Sequence, residues 1–156
     1  MDSVQDLRRF PSWSRGTFTI TCDPAKLDGG MVARFLATSS YWAEGIPAET
    51  VAKSLTNSLC FAVLEGDRQI GFARVISDRA TVAYLSDVFI LPQHRGKGLS
   101  KWLMECIVGH PELQGLRRWL LATNDAHGLY RKFGFTALQR PELFMERHDP
   151  DPYRLG

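Results

Sequence analysis

Apolar and polar residues alternate strictly from Thr17 to Cys22, with Phe18, Ile20 and Cys22 on one side, which predicts a half-buried strand ended by Asp23-Pro24. After Asp28, a candidate N-cap, Met31, Phe35, Thr38 and Trp42 fall on one side of a predicted helix. Glu44-Gly45-Ile46-Pro47 breaks it, and Pro47 suits the first position of a short second helix carrying Val51 and Leu55. The unbroken apolar run Leu59–Leu64 predicts a strand covered on both faces. Turn chemistry at Gly66-Asp67-Arg68 returns the chain through Ile70–Ile76 as an antiparallel hairpin, and a turn at Asp78-Arg79 leads into a long strand from Thr81 to Leu91.

Beyond Pro92, Leu99, Trp102, Leu103, Cys106 and Ile107 form a strong amphipathic stripe ending at Gly109 and Pro111. Arg118–Ala122 predicts a short strand. Ala126, Leu129, Tyr130 and Phe133 form a second helical stripe, with Thr123 or Asn124 as cap and Gly134 as its left-handed stop. Phe135–Leu138 and Leu143–Met145 are expected as closing strands, and Met1–Gly16, with Pro11 and scattered serines, as a flexible N-terminal arm before one domain over 17–156. Strands and helices in this order predict a mixed α+β fold rather than a doubly wound parallel one.

Composition narrows the function. The chain has 156 residues, 44% hydrophobic and 23% charged, as ordinary globular domains do. Nineteen Lys and Arg against 17 Asp and Glu leave a net charge of +2, too little for a nucleic-acid binder by bulk charge. Short basic pairs such as Arg117-Arg118 and Arg131-Lys132 read as solvated faces. Cys22, Cys60 and Cys106 are far apart, with no CxxC or Cys/His cluster, which points to reduced core thiols, a cytoplasmic setting and no metal. No apolar run is long enough for a membrane span.

The most informative stretch is Val88-Phe89-Ile90-Leu91-Pro92-Gln93-His94-Arg95-Gly96-Lys97-Gly98-Leu99-Ser100, in which a strand enters a two-glycine turn and a helix starts at once. The first amides of a helix lack internal partners and carry its positive dipole end, and Arg95 and Lys97 add cations there. That combination suits a phosphate or pyrophosphate. The Walker A spacing is absent, and Lys101 stands where the dinucleotide fingerprint needs its third glycine.

The Gln93-x-x-Gly96-x-Gly98 turn resembles the acetyl-CoA loop of the GNAT superfamily of N-acetyltransferases, and Ala126-x-x-Leu129-Tyr130-Arg131-Lys132-Phe133-Gly134-Phe135 resembles that family's later helix and following strand. An Asn often stands seven residues before the family's tyrosine; here that place is Thr123, with Asn124 displaced by one. The resemblance implies a GNAT-like, mostly antiparallel sheet flanked by helices, and acetyl-CoA as cosubstrate. It also implies direct transfer of an acetyl group to the amine of a small molecule or peptide, and an expectation of homodimers, with no nucleic-acid or membrane partner. Backbone of Val88, Phe89 and Ile90 would face the pantetheine arm, amides from Arg95 through Gly96, Lys97, Gly98 and Leu99 to Ser100 the pyrophosphate, and Asn124 a further part of the cofactor. His127, on the helix three residues before Tyr130, is a candidate for proton relay or cofactor contact, or else a surface histidine. A non-catalytic coenzyme A sensor of the same fold is the competing reading.

For acyl transfer the leaving thiolate needs a proton and the amine must lose one. Tyr130 is the candidate acid: a phenol near pKa ~10 facing a thiol near ~8.5 is uphill by roughly 2 kcal/mol. Period-two counting puts Asp87 on one face with Leu85 and Phe89, as either a general base or a salt-bridged strand carboxylate. Tyr41, Trp42 and Glu44, between the first two helices, are candidate acceptor contacts for an apolar or cationic group, or else core aromatics beside a surface carboxylate. Cys106, on the apolar stripe, reads as core rather than nucleophile.

Overall fold

The computed structural model describes residues 10–153. Its six strands form one sheet in sequence order: β1 (Ser12–Arg15), β2 (Phe18–Thr21), β3 (Leu59–Glu65), β4 (Arg68–Ser77), β5 (Val82–Ile90) and β6 (Arg118–Leu121). Successive pairs are antiparallel except β5–β6, which is parallel because a helical crossover joins those strands. The helices are α1 (Gly29–Ser39), α2 (Ala48–Thr56), α3 (Leu99–Val108) and the short α4 (His127–Arg131).

Each sheet face is covered by its own core. Against one lie α1 and α2, where Met31, Val32, Phe35, Leu36 and Val51 meet Phe72 and Phe89. The Phe35 and Phe89 rings stack at 3.8 Å and 12°. Against the other lies α3, whose Leu103, Met104 and Ile107 are fully buried on Phe61, Val63, Ala73 and Val75. Gly71 is the tightest point of the sheet: a Cβ there would stand 2.6 Å from Ile90 Cδ1 and 3.0 Å from the Phe89 carbonyl oxygen.

Three sequence expectations change. Residues 1–9 of the expected arm lie outside the described residues, but Ser12–Arg15 is a paired strand, turned by Gly16 at φ +57°. Two side chains anchor it, with Trp13 stacked on Phe61 and Arg15 lying over Trp102 while paired to Glu105 at 3.1 Å. Trp42 is not helical. The Ser40 hydroxyl donates to Leu36 O and accepts from Ala43 N–H, which ends α1 and turns the chain. No strand follows β6 among the described residues. Phe135 gives its N–H to Tyr130 O as the closure of α4 over Gly134, at φ +87°, and Pro141 starts a 3₁₀ turn, so the predicted closing strands have no ladder. That segment instead lies beside β6 through Trp119–Phe135 and Arg118–Phe144 ring contacts.

Candidate active site

β5 and β6 pair from Val82↔Arg118 to Leu85↔Leu121 and no further. Beyond that point the edge of β5 from Ser86 to Ile90 has no strand beside it on that side, and a cleft of about 480 Å³ opens there. That volume lies within the range of small-molecule sites. The parting coincides with a β-bulge. Phe72 faces Phe89 and Arg74 faces Ser86, so Asp87 and Val88 together oppose Ala73. Asp87 takes φ +55°, a left-handed conformation that Asp tolerates better than most residues.

The bulge overturns the period-two placement of Asp87. Leu85 packs into the α3 core and Phe89 into the α1 core, so the two do not share a face. The Asp87 carboxylate accepts from Arg74 Nε–H at 2.8 Å and from Trp42 Nε1–H at 2.7 Å, both reaching it on the α1 side. Its side chain is 8% exposed and that of Arg74 15%. Of the two roles open to Asp87 in the sequence, the salt-bridged strand carboxylate is the one the geometry displays. Arg74 also donates to Ser58 Oγ at 3.1 Å, so the arginine is itself braced.

Across the cleft stands Tyr130, buried on α4 against Phe135 with its ring on the cleft wall. Burial, then the nearby Tyr41 phenol and Asp125 carboxylate, push its hydroxyl up to about 12, so it holds its proton throughout the neutral range. Thr123 Oγ1 accepts from the N–H groups of Asp125 and Ala126 and shapes the turn that leads to α4, but the N-cap of that helix is Ala126, with no side-chain cap, rather than Thr123 or Asn124 as expected. Asn124 gives its N–H to the Tyr41 hydroxyl at 3.0 Å, linking the α1–α2 connection to the β6–α4 turn.

At the cleft's other end the chain leaves β5 through the 3₁₀ turn Pro92–His94 and enters α3. Gly96 and Gly98 sit at φ +82° and +75°, with nothing within 4 Å of a Cβ added at either, so backbone conformation rather than crowding calls for glycine here. Gly98 is the N-cap of α3, and no side chain caps the helix. Arg95 Nε–H donates to Ile90 O at 2.9 Å, and Lys97 Nζ lies 5.8 Å from the Phe18 ring centroid, so the two cations flank the turn rather than converge on it. An exposed left-handed glycine turn opening a helix beside an unpaired strand edge can receive a diphosphate and an extended amide-bearing chain together.

A family model described as the acetyltransferase (GNAT) domain matches residues 56–137, more than half of the chain. The chain belongs to the GNAT acetyltransferase family. A crystal structure of a GNAT-family protein from Xanthomonas campestris pv. campestris is 48% identical, covers 91% of this chain and all of that one, and superposes with a TM-score of 0.87. A Gibberella zeae protein that bears the provisional name of an acetyltransferase is 32% identical over 78% of this chain and 80% of its own length. A Clostridium acetobutylicum protein solved with acetyl-CoA, 15% identical and with a TM-score of 0.58 over 84% of this chain and 94% of that one, shares the fold.

In this member of the family the cleft brings together Tyr130, Asp87, Val88, Phe89 and Ile90 of the residues singled out in sequence, and with them Arg95, Ser100, Asn124, Tyr41 and Trp42. Gly96, Lys97 and Gly98 form the adjoining turn outside its lining, and the Leu99 side chain is buried in the α3 core. His127 and Glu44 are exposed and do not line the cleft. Arg74, Tyr84 and Asp125 were missed. Arg74 reads in sequence as one charge on a strand, and only pairing across the bulge reveals its part. The three cysteines lie outside the cleft; burial drives the Cys106 thiol up to about 12 and the Cys60 thiol to about 11.

Proposed function

We propose that this protein transfers the acetyl group of acetyl-CoA directly to the amino group of a small-molecule or peptide acceptor, both bound at once. The observation that carries the reading is the cleft at the parting of β5 and β6, with Tyr130 on one wall and the Asp87–Arg74–Trp42 cluster on the other. Amides from Gly96 to Ser100 receive the pyrophosphate, and the strand-free edge over Val88–Ile90, whose Ile90 carbonyl also holds Arg95, receives the amides of the pantetheine arm. The acetyl-CoA-bound relative of the same fold supports that coenzyme.

In the reaction the amine nitrogen forms a bond to the thioester carbonyl carbon, the C–S bond breaks, the amine loses a proton and the thiolate gains one. Tyr130, neutral and part of the cleft wall, donates a hydrogen bond to the departing sulfur. Taking up a proton would cost Asp87 its ion pair with Arg74. It therefore accepts a hydrogen bond from the incoming ammonium or a water, and the proton leaves through water at the open mouth. With every cysteine thiol outside the cleft, no thiol nucleophile stands where an acyl-enzyme would form, which supports direct transfer.

The test is thiol release from acetyl-CoA over a panel of amines, with calorimetric binding of acetyl-CoA measured beside it. Saturable binding and amine-dependent release are expected. Binding with no turnover over a wide panel would instead favour a coenzyme A sensor, and no binding would end the proposal.

A further inference from the structure

The acceptor half of the cleft carries more aromatic surface than catalysis needs. Tyr41, Trp42 and Tyr84 line it, and they are 53%, 41% and 38% exposed. Three half-bare aromatic rings in one small cleft lack apolar cover, which a folded chain normally supplies. The Tyr41 and Trp42 rings meet edge to face at 5.0 Å and 83°, and Trp42 is pinned by its bond to Asp87, so this wall is held in place before any ligand arrives. Tyr84 stands on the uncovered part of the α1-side sheet face, directly across from Ile76, with Val82 two residues behind it; both are exposed apolar side chains. The apolar surface thus runs on past the cleft.

Charge is the second, independent observation. Among the described residues that line the cleft, Arg95 is the one cation, and its Nε is spent on the Ile90 carbonyl at the coenzyme end. Arg74, behind Asp87, is occupied by that carboxylate and by Ser58. What remains toward the acceptor is carboxylate: Asp87, neutralised by its pair, and the exposed Asp125. Among the described residues no cationic side chain there is free to pair with a phosphate or carboxylate on the substrate, whereas an ammonium meets the Asp125 carboxylate, the oxygens of Asp87 and the faces of the rings.

We infer that the acceptor is a primary amine borne on a flat apolar, preferentially aromatic, body without an anionic substituent, the ring lying on Trp42 and Tyr84 and the nitrogen at Asp87. This rests on the acetyl-transfer reading above and names the substrate class for the same cleft. The experiment compares 2-phenylethylamine, hexylamine and glucosamine 6-phosphate as acceptors for the full chain, with acetyl-CoA binding followed by calorimetry. The expected order in kcat/KM is phenylethylamine above hexylamine by about tenfold, the worth of one ring contact, with the phosphorylated amine at least 100-fold below.

Tyr84→Ala, which removes a partly exposed ring, is expected to raise the KM for phenylethylamine about tenfold, to leave that for hexylamine within threefold, and to keep acetyl-CoA affinity unchanged. Equal or better use of the phosphorylated amine, or a Tyr84→Ala effect equal for both neutral amines, overturns the inference while acetyl transfer stands. Absence of acetyl-CoA binding overturns the underlying reading and this inference with it.

Discussion

Replacing Tyr130 by Phe removes one hydroxyl and keeps the ring that packs on Phe135. With the phenol at about 12 and a leaving thiol near ~8.5, complete proton transfer is uphill by about 5 kcal/mol, rather than the roughly 2 kcal/mol of an unperturbed phenol. In the proposed reaction Tyr130 therefore serves as a hydrogen-bond donor to sulfur whose proton moves late or not at all. A hydrogen bond to a charged group is worth about 1.5–3 kcal/mol, so the variant is expected to lose about 10–150-fold in kcat, with the KM for acetyl-CoA little changed. The assay is steady-state thiol release at saturating acetyl-CoA, with thermal denaturation to verify that the fold is intact. A change in kcat below threefold removes Tyr130 from the chemistry. A loss beyond about 1,000-fold refutes the hydrogen-bond-only role and restores complete proton transfer.

The pH profile follows from the same group. A phenol raised to about 12 stays protonated until the pH climbs past that value, so kcat should show no falling limb from Tyr130 up to about pH 10. A limb centred near pH 8–9 at saturating substrates would contradict the assignment. Arg74→Met leaves the Asp87 carboxylate buried without its partner and should lower stability by about 3–5 kcal/mol, read by urea denaturation; a loss under 1 kcal/mol would mean the pair is not held as described. Gly71→Ala forces a methyl against the Phe89 carbonyl oxygen at 3.0 Å as well as against Ile90, and should cost about 1–3 kcal/mol, a fall in Tm of several degrees by calorimetry. An unchanged Tm would show that β4 and β5 can shift at that point.

Much of the scaffold was legible because its elements obey simple periods. The α3 stripe from Leu99 to Ile107 and the hairpin of β3 and β4 stand where spacing puts them. The glycine turn was readable because only left-handed backbone calls for Gly96 and Gly98 at open positions. What escaped depends on contacts distant in sequence. Ser12–Arg15 reads as a loose polar segment until Trp13 finds Phe61 and Arg15 finds Glu105, 90 residues away. The parity of β5 failed at Asp87 because a bulge leaves no mark in an alternation that is already partly apolar. Leu143–Met145 looks like a strand by composition, but Pro141 and the turn it starts commit the backbone elsewhere.

The bulge on β5 adds one residue of length, and the pairings on either side of it, Arg74↔Ser86 and Phe72↔Phe89, are those of an ordinary antiparallel ladder. A chain shortened by Asp87 alone could zip β4 and β5 without interruption and still send Phe89 and Ile90 to their present cores. The sheet pairing thus has no need of that residue, although Arg74 and Trp42 do. The extra residue lies where β5 and β6 part, and the gap there leaves a strand edge that a second molecule can approach.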